Sequence, residues 1–340
     1  MTCTGPPGMP ADTGRRRISA VPRIVGRRLL LLAPITLVVT VGVFWLASLS
    51  PLDPLDAYMS GQSAALTDEQ RGELRRTLGL DRSWWSAWWD WLRATLGGDL
   101  GRSMSYRQSV STVIGDRLPW TLVLSVSGLV LALIISVCLG LWAALAPGSL
   151  ADRAIGVLAT VLAAVPPFVL GMGVIAVFAL GLGLFPTGGL TDPGEGVAAG
   201  SLLRHLALPT VVFALSQVPW LILGLRETVI RTLSEDAVLF ARLRGIPRRT
   251  IVVGHVLPVA APPFIALTAT RLPELIAGSV IVEAVFAWPG IGAAMVQAAQ
   301  RLDLDLLCFL TVASTAAVLL CTLLADVLYV LLDPRVDTDV

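Results

Sequence analysis

The chain has 340 residues, 55% of them hydrophobic and 14% charged, with a mean hydropathy of +0.78 and a formal net charge of +1. A soluble domain carries about 25% charged residues, so this composition excludes an ordinary soluble fold, and the near-zero charge argues against a nucleic-acid partner. Cys3, Cys138, Cys308 and Cys321 show no CxxC spacing, and His205 and His255 are the only histidines, a poor basis for a disulfide framework, a metal site or a catalytic triad.

Residues 1–28 form a Gly/Pro-rich and then basic tail, with Arg15, Arg16, Arg17, Arg23, Arg27 and Arg28, and are expected to be cytoplasmic and partly disordered. An apolar run follows over 29–49, about 20 residues, the length that crosses a hydrocarbon core. It is longer than the 7–15 residues typical of a signal-peptide core and gives way to "SPLDPLD", so it reads as an uncleaved anchor. Residues 51–117 then form a long loop. Within it "TDEQ" has the capping-box pattern, with Thr67 as N-cap and Gln70 reaching back, and predicts a short helix through Leu78.

The stretch "SWWSAWWDWLRATL" comes next. At a helical 100° per residue, Trp84, Trp85, Trp88, Trp89, Trp91, Leu92 and Leu96 share an arc of about 160°, with Ser86, Asp90 and Arg93 opposite. Such a face suits the membrane–water interface, where indole is favoured. It suits the outer face of the protein itself as well, and a substrate-stacking platform is a third reading.

Five further spans are predicted, at about 120–146, 155–185, 206–225, 264–286 and 306–332. The third carries Pro166-Pro167 near its middle and is expected to be broken or strongly tilted, either as a packing kink or as part of a translocation path. The fifth contains Arg271, Glu274 and Glu283. A charge at membrane depth costs at least about 2.5–3.5 kcal/mol, so each needs a partner or water. Arg271 and Glu274 are three apart and can pair, either satisfying themselves within the bundle or lining the path of a charged cargo. Glu283 points to nearly the opposite side, close to the outer interface.

The arginines orient the chain. With the N-terminus inside, the cytoplasmic segments hold the basic tail, Arg153, Arg226, Arg231, Arg242, Arg244, Arg248, Arg249 and Arg335, whereas the short outer loops hold only Arg204 and Arg301. Loop 51–117 is long enough to cross regardless of its charge. The reading is six spans with both ends inside.

The cytoplasmic loop 227–260 includes "ARLRGIPRRTIVVGHVLP". Ser234 is a candidate N-cap for a helix with Glu235 and Asp236 in its first turn and Arg242 and Arg244 in its last, both placements suiting the helix dipole. Gly245 sits where a helix needs a left-handed terminator, and Pro247 can open the next helix. A loop so ordered, basic and outward-facing is built for docking.

This stretch resembles the coupling loop of ATP-binding-cassette importer permeases, in which an "EAA" triplet precedes a glycine that is followed, thirteen residues on, by the end of a Leu-Pro pair; here that interval is Gly245 to Pro258. His255 and Pro263 match the peptide and nickel branch. The triplet itself reads Leu239, Phe240, Ala241, so only its last alanine is kept. Along the chain, "GGDLGRS", "RLPWTL", "VPPFVLGM", "GSVIVEAVFAWPGIG" and "YVLLDPRV" resemble the same branch in the same order. The chain is thus similar to a B-type subunit of the dipeptide/oligopeptide/nickel importers.

The resemblance implies an all-α membrane protein of six transmembrane helices with the type I importer permease fold. It implies a bacterial plasma-membrane location, a C-type permease partner, two cytoplasmic ATPase subunits and an external solute-binding protein. Ala241, Arg244, Gly245, His255, Leu257 and Pro258 would form the ATPase-coupling loop, with Ala241 expected to face the ATPase. Arg271, Glu274, Pro166 and Pro167 are candidates for the translocation path. No cofactor or metal is implied, and the chain itself is read as non-enzymatic, because without a single lysine it has no Gly-x-x-x-x-Gly-Lys phosphate loop. A nickel-chelate permease of the same family is the alternative cargo reading. A secondary transporter is the rival from another class, although no internal repeat supports it.

Overall fold

The computed structural model describes residues 13–51, 55, 59, 67–77, 81–192, 194 and 196–332. Cys3 with the rest of residues 1–12, Leu78, and Arg335 with the end of "YVLLDPRV" lie outside them. Among the described residues regular structure is helical, apart from one isolated bridge between Arg102 and Ser109. Among the described residues five helices are long and apolar enough to cross a membrane, or six spans if one bent helix pair counts as a single broken span.

Helix α1 (Thr13–Ser48) starts well before residue 29, so the basic tail is helical from Thr13 onward. The Thr67 capping box forms as expected: Thr67 N–H donates to Gln70 Oε1 at 3.0 Å and Gln70 N–H to Thr67 Oγ1 at 3.4 Å, opening α2 (Asp68–Thr77). Ser83 caps α3 (Trp84–Leu96). The readings of this tryptophan helix divide between its faces. Trp88 and Trp91 are buried against Phe44 of α1 and Cys308 of the last helix, and Trp88 Nε1 donates to Thr40 Oγ1 at 3.1 Å. Trp85 and Trp89 stay exposed.

Ser109 and Ser149 cap α4 (Val110–Leu145) and α5 (Leu150–Ala164). The expected break follows. Pro166 holds Val165 extended, Pro167 does the same to Pro166, and α6 (Pro167–Gly181) leaves at 103° to α5. Helix α7 (Ala199–Leu233) is the hub, and its largest contact is with α4. Gly128, Ala132, Ser136 and Gly140 are buried at four-residue intervals on α4. A Cβ on Gly128 would overlap the Phe213 ring, and one on Gly140 would lie 3.2 Å from Leu225. Small residues at this spacing let two apolar helices pack backbone to backbone.

After the short α8 (Asp236–Leu243), α9 (Arg248–Ala269) forms the fifth spanning helix. Its segment Val252–Val256 is wound as a π-helix, so that Leu257 N–H reaches Val252 O, a wider turn directly before Pro258. The expected span at 264–286 is corrected here, because it straddles a break at Thr270-Arg271. Pro273 cannot donate to Ala269 O and its ring would meet that carbonyl; the helix therefore stops at Ala269 and restarts as α10 (Leu272–Val285). Helices α11 (Ile291–Gln300) and α12 (Leu304–Leu332) complete the described residues, with α12 lying along α1 and Arg28 pairing with Asp326 at 2.7 Å. Cys138, Cys308 and Cys321 are free.

Candidate functional site

Two places concentrate chemistry. The first is the turn around α8. Ser234 does not cap this helix: it ends α7, where its hydroxyl donates to Ile230 O at 3.0 Å, as serine commonly does on a helix. Glu235 takes the N-cap position without a side-chain bond. The far end is a complete Schellman motif. Gly245 has φ +74, its N–H donates to Arg242 O, and Ile246 N–H donates to Ala241 O. Ile246 then packs with Val238, Ala241 and Ile251 in the core built on α7. A Cβ at Gly245 would meet nothing within 4 Å among the described residues, so only its φ demands glycine. Gly245→Val should therefore cost about 1–2 kcal/mol in the left-handed region, read as easier proteolysis of this turn in an inserted subunit.

The alanine of the triplet faces inward. Ala241 is 6% exposed, whereas Leu239, Phe240 and Leu243 are 52%, 62% and 74% exposed. Sequence reasoning expected Ala241 to be the docking contact and passed over its large neighbours; the signal was their shared helical face at i, i+1 and i+4. Arg242 and Arg244 are exposed beside them. His255 and Pro258 are exposed further along α9, and Leu257 is half-buried.

This turn is fastened to the α4–α5 connection. The Arg226 guanidinium grips Asp152 with both arms, Nε to Oδ1 at 2.5 Å and Nη2 to Oδ2 at 2.8 Å, and Gly148 N–H adds a third donor at 2.8 Å. Arg248 donates to Leu145 O. Asp152 is 5% exposed. Its partner lies seventy-four residues away, a distance no local pattern reveals.

The second place is the α9–α10 break. Arg271 and Glu274 pair at 2.6 Å, as their spacing allows, and the guanidinium lies 4.8 Å from the centre of the Trp220 ring on α7. The Pro166-Pro167 break belongs to a neighbouring element, since α6 packs on α10 where Gly171 meets Val285 and Phe286. Further along α10, Glu283 is fully buried and accepts Ala293 N–H at 3.1 Å, at the start of α11. A Cβ on Gly290 would overlap its carboxylate, and one on Gly292 would come within 2.8 Å of Oε2. Trp288 is buried too, with Nε1 donating to Trp120 O at 2.9 Å. The stretch "EAVFAWPGIG" is thus one closed elbow, whose glycines make room for a buried carboxylate at a helix N-terminus.

Comparison with known proteins points the same way. A family model described as "Binding-protein-dependent transport system inner membrane component" matches residues 136–338. The chain is 32% identical to the oligopeptide transport system permease protein AppB of Bacillus subtilis, over 92% of this chain and 98% of that one. It is 33% identical to the oligopeptide transport system permease protein OppB of Mycobacterium bovis, again over 92% and 98%.

Proposed function

The chain belongs to the inner-membrane components of binding-protein-dependent transport systems, and we propose that it forms one half of the pore of an ABC importer for peptides. The names of AppB and OppB support the cargo class. The observation that carries the coupling role is the outer face of α8. Three large apolar side chains stand exposed on an ordered, basic turn that is Schellman-capped at one end and tied by Arg248 to the end of α4. Such a face has no use in water and suits a groove on a soluble ATPase. In this reading Ala241 and Gly245 shape the turn, while Leu239, Phe240 and Leu243 make the contact, flanked by Arg244, His255 and Pro258. Closure of two ATP-bound partner subunits would carry α8 as a rigid body, tilting α7 and α9 and switching the bundle between its two openings. The partner subunits hydrolyse ATP, a C-type permease supplies the other half of the pore, and a solute-binding protein delivers cargo from outside. Trp85 and Trp89 meet the outer lipid interface.

Co-expression with neighbouring ATPase genes tests this reading: the chain should purify with two ATPase copies and a second permease, and the assembly should take up peptides at the expense of ATP. A chain that purifies alone and transports without ATP would make it a secondary transporter. Orientation is a separate prediction. With the four native cysteines removed, Arg249→Cys should label only from the cytoplasm and Gln108→Cys only from outside; both positions are exposed. Labelling of both from outside would sink the six-span arrangement.

A further inference from the structure

A polar group in the middle of the bundle has no part in the coupling turn. Helix α7 rises about 1.5 Å per residue, which puts Trp220 roughly 20 Å from the nearer end of the helix, within its spanning length. Trp220 is 51% exposed, and the Arg271 guanidinium lies over its ring. Arg271 gives Nη1 to Glu274, but its Nε is buried without a hydrogen-bond partner among the described residues. One turn back along α7 from Trp220, Gln217 stands against Gly278, which is about two turns beyond Arg271. Gln217 is 3% exposed, its Nε2 bonds Ser216, and its Oε1 has no partner among the described residues. Orphaned polar groups in a dry interior are costly, and the free Nε leaves Arg271 with hydrogen-bonding capacity that the described residues do not use.

The shape of the break adds to this. Helix α10 starts at Leu272, directly after Arg271, so the positive end of its dipole sits beside the guanidinium. Glu274 is half-exposed, its side chain 47% accessible. A guanidinium and a half-open carboxylate do not face hydrocarbon, where neither would be solvated; the open side of the group faces a polar space. Arginine offers five donors in a flat fork that matches a carboxylate, and only one of them is given to Glu274 here.

We infer that Arg271, with Trp220 beside it and the start of α10 behind it, receives a carboxylate of the cargo, which competes with Glu274 for the guanidinium. Trp220, half-exposed, offers a flat apolar surface to the body of the peptide. The inference rests on the peptide-importer reading and adds to it a chemical selection made by the pore itself. The carboxylate can be the C-terminus of a peptide or an acidic side chain, and the probes below separate the two.

The test uses the complete transporter in vesicles, with one binding protein throughout, so that any preference of that protein is common to every comparison. The probes are trialanine, trialanine amide and Ala-Glu-Ala amide. The variants are Arg271→Met with Glu274→Gln, which removes both charges together and avoids stranding one, and Glu274→Gln alone. In the double variant the uptake ratio of trialanine to its amide should fall roughly tenfold, the scale of one charge-assisted hydrogen bond. ATP hydrolysis stimulated by loaded binding protein should persist. Glu274→Gln alone frees Arg271 from its competitor and should raise the ratio. Retention of Ala-Glu-Ala amide by the wild type, lost in the double variant, would assign the contact to carboxylates in general; loss confined to trialanine would assign it to the C-terminus.

An unchanged ratio in both variants overturns the inference and leaves a self-satisfied structural pair. Should the double variant fail to insert, Glu274→Gln decides alone, because that side chain is half-exposed: a raised ratio supports the inference, and an unchanged or lower one overturns it. Absence of ATP-driven uptake of any peptide by the wild type would instead overturn the importer reading, and this inference with it.

Discussion

Phe240→Asp is expected to strip the ATPase subunits from the complex while the permease stays inserted. Phe240 is 62% exposed on the outer face of α8 and contributes little to the fold of its own chain. An aromatic anchor at the centre of a docking patch is typically worth about 2–4 kcal/mol, roughly 30- to 1000-fold in affinity, and a carboxylate in its place adds a desolvation cost. Ala241→Asp, one residue on, should behave differently. Ala241 packs with Val238, Ile251 and Val256 in the core of this chain, so an aspartate there buries an unpaired charge and destabilises the subunit itself. Quantitative copurification from matched membrane levels separates the two. The docking face is wrong if Phe240→Asp keeps its ATPase partners while an intact Ala241→Asp subunit sheds them.

The contrast between these neighbours shows what was legible in the sequence. Several features with a local cause were readable. The Thr67 capping box, the break at Pro166-Pro167 and the left-handed Gly245 each follow from residues within four positions of one another. The pairing of Arg271 with Glu274 was readable for the same reason. The inward face of Ala241 was not, because it depends on what α7 and α9 bring against α8. The end of the fifth span was misplaced because hydropathy sees apolar residues through Arg271 and cannot weigh Pro273 against Ala269 O. Arg248, Arg249 and the π-wound turn before Pro258 also made the start of that span resemble a loop.

Tertiary pairs were out of reach altogether. The stripe Gly128, Ala132, Ser136, Gly140 is visible as a spacing, but only Phe213 and Leu225 on α7 show why it must be small. "EAVFAWPGIG" could be recognised as a pattern without its reason. The reason is steric: Glu283 folds back under the start of α11, and side chains at Gly290 and Gly292 would occupy the space of its carboxylate. The candidate cargo contact was half legible. Its two charges stand out in an apolar span, whereas Trp220, on another helix, carries no mark in the sequence that ties it to Arg271.

The Asp152–Arg226 pair should give the largest stability effect of any polar contact near the coupling turn. Asp152 is nearly fully buried, and its three donors, two from Arg226 and one from Gly148, are all close. Arg226→Met removes two of them and leaves a carboxylate buried beside a single amide, a loss of about 3–5 kcal/mol for a broken buried pair. Asp152→Ala strands the arginine instead, and should cost less, because the Arg226 side chain is 33% exposed and can turn toward water. The double variant Asp152→Ala with Arg226→Met should recover much of the loss, since no unpaired charge remains. Thermal unfolding of the detergent-solubilised subunit, run as a double-mutant cycle, measures the coupling directly. Strictly additive single effects would show that the two side chains act independently and that the clasp contributes nothing as a pair. A double variant that is both stable and normally inserted would leave α5 and α7 free to slip against each other near the end of α7 from which α8 follows. Its ATP hydrolysis should then run without the acceleration that loaded binding protein gives the wild type.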